Sequence, residues 1–139
     1  MAGSSKILLV EDNTDIIGLY SRVLKQSYEL RVATTVDEAL GIAPVFKPDL
    51  IFLDVMLPGG KSGLDALMLL RTKQEYGCTD VPMVMLTNLG LTEKLQKAWE
   101  EYADGYVVKA EIVPHELPIL VNSFLGKDAG EDSSKPTQN

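Results

Sequence analysis

Three carboxylates, a hydroxyl and an ammonium stand at the ends of four short apolar runs. Lys6-Ile7-Leu8-Leu9-Val10 leads into Glu11 and Asp12, and Leu50-Ile51-Phe52-Leu53 leads into Asp54. Met83-Val84-Met85-Leu86 leads into Thr87, and Tyr106-Val107-Val108 into Lys109. Carboxylates gathered in one place repel unless a proton or a cation joins them. A hard divalent ion that takes oxygen ligands and keeps several waters answers that need, and magnesium is the obvious candidate. An aspartate beside such an ion can attack a phosphoryl group, because the metal neutralises the transferring oxygens. Lys109 offers a point cation and Thr87 a hydroxyl donor to the same oxygens. The chemistry these groups share is formation of an aspartyl phosphate.

Convergence requires a scaffold. Runs of three to five residues rich in Val, Ile and Leu read as strands buried on both faces of a parallel sheet. Sites on such sheets form at the carboxyl ends of the strands. Strand-like runs alternate with helix-length amphipathic segments about five times, which predicts an α/β fold: a doubly wound five-stranded parallel sheet in three α/β/α layers. A first helix is expected over residues 14–27, with Ile16, Ile17, Tyr20, Val23 and Leu24 on one stripe and Asn13 or Thr14 as cap. Glu29–Ala33 reads as a second strand, and Thr35-Val-Asp-Glu38 as a capping box opening a helix toward Phe46. A loop with Pro58, Gly59, Gly60 and Gly63 precedes a helix carrying Leu64, Leu67, Met68, Leu70 and Arg71. Residues 92–102 are expected to form the fourth helix, and Pro114 to begin the last one, which fades near Gly126.

The chain has 139 residues, 45% hydrophobic and 24% charged, the make-up of a globular protein with one domain. Residues 1–126 are read as that domain and 127–139, which lack any apolar anchor, as a disordered polar tail. No apolar stretch approaches a membrane span and no signal-peptide core is evident, so a cytoplasmic location is expected. A net charge of −7 argues against a nucleic-acid footprint. Cys78 stands alone and cannot pair internally. His115 reads as a surface residue near a helix start.

Together these motifs resemble the receiver domain of two-component response regulators over about residues 5–126, and short receivers of the chemotaxis type in particular. The resemblance implies that Asp54 accepts a phosphoryl group from a histidine kinase or phosphotransfer protein. It implies magnesium bound by Asp12, Asp54 and the backbone carbonyl of Met56, with Glu11 acting through a water. Lys109 would bridge to the phosphoryl oxygens, and Thr87 and Tyr106 would be the switch pair. Such a domain catalyses only its own phosphorylation and dephosphorylation, and signals by contact with a protein target, as a monomer or a phosphorylation-dependent dimer. The implied readout surface is the fourth helix, fifth strand and fifth helix, where Leu95, Trp99 and Tyr106 are candidates for partner contact. Leu91, Ala98 and Tyr102 on the same stripe are expected in the core.

Three departures from the family pattern stand out. Ala110 follows Lys109 where the family has a proline joined by a cis bond, so the path after the fifth strand is open. Gly63 comes one residue later than usual after Asp54, which implies a longer loop. Asn88 follows Thr87 where a small residue is general, and is expected to alter phosphoryl lifetime.

Three other readings are weaker. A haloacid-dehalogenase-type phosphatase needs a second Asp two residues after the nucleophile, where this chain has Met56. A flavodoxin-like binding module needs a phosphate-cradling loop where Glu11-Asp12-Asn13 would repel phosphate. A degenerate receiver that only binds partners remains, against the presence of Asp12, Asp54, Thr87 and Lys109.

Overall fold

The computed structural model describes residues 4–88 and 93–126, without the side chains at positions 93–95 and 98. Five strands form one parallel sheet: β1 (Lys6–Val10), β2 (Glu29–Ala33), β3 (Leu50–Asp54), β4 (Met83–Thr87) and β5 (Gly105–Val108), in the order β2-β1-β3-β4-β5. The helices between and after them are α1 (Thr14–Leu24), α2 (Val36–Phe46), α3 (Gly63–Thr72), α4 (Glu93–Glu100) and α5 (Leu117–Leu125). After β1 the chain turns to one side to add β2, then returns to the other side to add β3. That reversal opens a crevice at the carboxyl ends of β1 and β3.

Side chains alternate across a strand, and the two faces bury separate cores. Leu8, Val10, Ile51, Leu53, Met83 and Met85 pack under α2 and α3 with Ala39, Ala43, Ala66, Leu67 and Leu70. On the other face Ile7, Leu9, Phe52, Val84, Leu86 and Val107 pack against Tyr20 and Leu24 of α1 and Leu117 and Val121 of α5. The result is the expected three-layer, flavodoxin-like arrangement.

Local differences from expectation have local causes. Asn13, not Thr14, caps α1, its Oδ1 accepting from the N–H groups of Asp15 and Ile16. That helix ends at Leu24, three residues early, in turn hydrogen bonds that run through Tyr28. Glu38 bypasses the Thr35 N–H and accepts from the N–H and hydroxyl of Thr34 instead. The expected last helix is split: Pro114–Glu116 makes a 3₁₀ turn and α5 begins at Leu117, with Gly126 capping it in the left-handed conformation at φ 71°. Among the described residues no peptide bond is cis, so Lys109–Ala110 is trans. Leu91, the side chains of Leu95 and Ala98, and the expected tail 127–139 lie outside the described residues.

Candidate phosphoacceptor site

Strand register brings the acids together. Val10 pairs with Leu53 across β1 and β3, so the residues that follow, Glu11 and Asp54, stand side by side. Glu11, Asp12 and Asp54 each offer a carboxylate oxygen within 4.8 Å of the others. Glu11 and Asp54 are buried, while Asp12 faces solvent at the mouth. The surrounding crevice, about 280 Å³, is lined by these three acids with Asn13, Met56, Asn88 and Lys109.

Each buried carboxylate is held by donors. Glu11 Oε2 accepts from the backbone N–H groups of Asp12 (3.1 Å) and Asn13 (3.0 Å). Asp54 Oδ1 accepts from the N–H of Met56 at 3.1 Å. Lys109 Nζ lies 2.9 Å from both Glu11 Oε1 and Asp54 Oδ2. Burial raises the Asp54 carboxyl to about 6, Lys109 opposes the rise and neighbouring Glu11 adds to it. For Lys109 burial acts downward, yet the pairing with Glu11 and Asp54 prevails and holds the ammonium above its ordinary range.

The donor set fits a divalent cation. Three ionised carboxylates against one ammonium leave two negative charges uncompensated in a partly buried crevice, and oxygen ligands suit magnesium. Glu11, Asp12 and Asp54 form the acidic cluster that would receive such an ion.

The other expected residues are placed differently. Thr87 is buried at the end of β4, and its hydroxyl donates to the Asn88 carbonyl at 2.8 Å, so it does not line the crevice. Tyr106 is 54% exposed, and its ring stacks on Trp99 with centroids 5.6 Å apart. Trp99 is only 3% exposed, so the expected partner contact through that side chain does not hold. It belongs to the core over β4, roofed by Tyr106. Tyr102, expected in the core, is partly buried against the same cluster. His115 is exposed, as expected.

Two contributions were not read from the sequence. Asn13 lines the crevice as well as capping α1, and its place directly after the acid pair was the available signal. Gly63 lets the chain fold back on the strand that carries Asp54: its N–H donates to Val55 O at 3.0 Å, and a Cβ there would overlap the Asp54 carbonyl. The longer loop between them turns at Gly59 and Gly60, both at positive φ (94° and 84°), and is tied to α2 by a Lys61–Asp37 ion pair. Ser62 and Asp65 then form the capping box that restarts the helix.

Comparison with known proteins agrees with this geometry. The pattern of the response regulator receiver domain matches residues 7–121. The phosphate regulon transcriptional regulatory protein PhoB of Klebsiella pneumoniae is 41% identical over 121 residues, 86% of this chain and 51% of that protein. PhoB of Pseudomonas aeruginosa is 32% identical over 133 residues, 95% of this chain and 56% of that one. The chain thus spans about half the length of the curated relatives it matches. Among solved structures, chemotaxis protein CheY4 of Vibrio cholerae superposes with a TM-score of 0.76 at 28% identity, over 88% of this chain and 99% of that one. The BeF3-activated receiver domain of RstA from Klebsiella pneumoniae gives 0.75 at 30% identity, over 88% and 100%.

Proposed function

The chain belongs to the response regulator receiver family, and on that premise we propose that Asp54 accepts a phosphoryl group from the phosphohistidine of a sensor kinase or phosphotransfer protein. An Asp54 oxygen attacks phosphorus, the phosphorus–nitrogen bond breaks, and its electron pair stays on the imidazole. The observation that carries this reading is the seating of a buried aspartate 2.9 Å from an ammonium and beside two further acids, at the mouth of an open crevice. Magnesium, when bound, neutralises charge on the transferring oxygens. Asp12, Asp54 and the backbone carbonyl of Met56 would hold it, with Glu11 acting through a water. Lys109 then turns from Asp54 to the transferred oxygens as they arrive.

The signal leaves through Thr87 and Tyr106. A phosphoryl group adds roughly −1.5 to −2 charges and strong acceptors. The Thr87 hydroxyl, now spent on the Asn88 carbonyl, would turn to those acceptors, and Tyr106 would move from its exposed stack toward the space vacated. Asn88, exposed at the crevice rim, would then tune access of hydrolytic water. The groove beside Tyr106, lined by Gln96, Glu100, Ala103 and Asp104, offers a protein target a surface that changes with the switch. Residues 1–126 form the receiver in this reading, and 127–139 a polar tail. Among the described residues no helix is long and apolar enough to cross a membrane, in keeping with a cytoplasmic site of action.

Treatment with a phosphoryl donor followed by borohydride, which reduces an acyl phosphate to the alcohol, places the modification. Homoserine at position 54 supports the proposal; an unreduced Asp54 peptide with modification elsewhere, or none with a cognate phosphohistidine donor, refutes it.

A further inference from the structure

Met56 is 73% exposed and packs in neither core. Of the other methionines among the described residues, Met68 is 40% exposed, and Met83 and Met85 are fully buried. Val45 and Ile119 stand as open to solvent as Met56, but their side chains are chemically inert and sit on α2 and α5. Met56 differs in both respects. It carries an oxidisable thioether, and it lines the same crevice as Glu11, Asp12, Asp54 and Lys109.

Its backbone is fixed there. The Met56 N–H donates to Asp54 Oδ1 at 3.1 Å. The preceding residue is held on both sides, Val55 N–H donating to Leu86 O and Val55 O accepting from Gly63, each at 3.0 Å. The thioether therefore swings about an anchored Cα and stays at the crevice mouth. Oxidation turns such a flexible apolar side chain into a polar sulfoxide, and reductases reverse the change.

We propose that Met56 is a methionine oxidation site through which a hydroperoxide slows phosphoryl entry to Asp54. The Met56 sulfur attacks one oxygen of hydrogen peroxide and the oxygen–oxygen bond breaks. The second oxygen leaves as hydroxide and takes the proton of the first, giving water. The sulfur loses two electrons and the peroxide gains them. The product carries a partially negative oxygen at the mouth of a crevice where three carboxylates face one ammonium. An incoming phosphoryl group is itself an anion, and like charges repel. The same oxygen is an acceptor that competes with phosphoryl oxygens for the Lys109 ammonium. The effect on transfer rests on the reading of Asp54 as phosphoacceptor; the site of oxidation does not.

The test treats folded wild type, Met56→Leu and Met68→Leu with limiting hydrogen peroxide and maps the added oxygen by peptide mass. The initial rate of phosphorylation by acetyl phosphate with magnesium is then measured, each protein against its own untreated rate. In wild type the Met56 peptide should gain oxygen before the Met68 peptide, with Met83 and Met85 spared. The rate should fall about threefold or more, the effect of a barrier about 0.7 kcal/mol higher. A methionine sulfoxide reductase with dithiothreitol should restore it. Met68→Leu should lose the same fraction as wild type, and Met56→Leu should not respond to peroxide. Met56→Gln, whose amide oxygen takes the place of the sulfoxide oxygen, should react more slowly than Met56→Leu with no peroxide present. Oxygen on Met68 ahead of Met56, a Met56 sulfoxide that leaves the rate unchanged, or an equal loss in Met56→Leu overturns the proposal. An untreated wild type that takes no phosphoryl group, from acetyl phosphate or from a phosphohistidine donor, overturns the phosphoacceptor reading and this effect with it, so the untreated rate tells the two failures apart.

Discussion

Lys109 Nζ stands 2.9 Å from Asp54 Oδ2 although their strands are not neighbours, since β4 runs between β3 and β5. Two strand spacings amount to about 9.5 Å, a gap that the four-carbon stem of lysine and the reaching carboxylate close together. The pair therefore depends on where the chain leaves β5. A trans Lys109–Ala110 bond is compatible with that reach. Lys109→Met keeps the stem and removes the charge, leaving Glu11 and Asp54 to repel. The Asp54 carboxyl should then titrate clearly above 6, measured by NMR of the side-chain carbon without metal. An unchanged titration would mean that the ammonium does not hold that carboxylate.

Stability should record the same carboxyl. Its folded-state pKa is raised from 3.8 to about 6, chiefly by burial. Below about pH 4 it is protonated in the folded and unfolded chains alike. As pH rises from there, the unfolded chain loses its proton first, so stability declines until the folded carboxyl has titrated near 6. Two units correspond to about 3 kcal/mol, with the Lys109 pairing already included; replacing Asp54 also gives up that ion pair, which offsets part of the gain. Asp54→Asn removes this cost, so in EDTA it should be more stable than wild type by about 1–2 kcal/mol at neutral pH, and no more stable near pH 4. Urea unfolding at both pH values checks it; a gain that does not depend on pH would contradict the assignment.

Gly63 carries the loop's close approach to Asp54. Gly63→Ala places a methyl against the Asp54 carbonyl, where only backbone movement relieves the overlap. It should cost about 2–4 kcal/mol and slow phosphorylation, because the same carbonyl belongs to the proposed phosphoacceptor. Gly59→Ala meets no neighbouring atom and pays only for its positive φ, about 1 kcal/mol. Equal losses in the two variants would show that the approach is not tight.

Trp99 and Tyr106 are in contact but differ in burial. Trp99→Ala should destabilise by about 3–5 kcal/mol as a core truncation, whereas Tyr106→Ala should cost less than about 1 kcal/mol. Trp99 is the chain's single tryptophan, so its emission reports the stack directly. Emission should change on phosphorylation and on Tyr106→Ala. A signal indifferent to both would remove Tyr106 from the proposed switch.

Much of this was legible in the sequence because the strands are short, fully apolar and end on polar residues. Glu11, Asp12, Asp54 and Lys109 could be assigned to one sheet edge from that pattern alone, and the strand register delivers them there. What escaped depends on orientation rather than on identity. The α4 stripe could not say which of its residues faces the sheet, and Trp99 proved to be core. A β-branched hydroxyl at a strand end chooses among nearby acceptors, and Thr87 took the Asn88 carbonyl, not the crevice. Two prolines four residues apart both suit helix starts; Pro114 opened a 3₁₀ turn and Pro118 the first turn of α5.

The most direct measurement is intact-mass spectrometry after incubation with acetyl phosphate, with and without magnesium, on wild type and Asp54→Asn. The account predicts a gain of one phosphoryl group in wild type with magnesium, a far smaller gain in EDTA, and none in the variant. A phosphoryl group gained equally by Asp54→Asn, or gained by wild type without regard to magnesium, would contradict it.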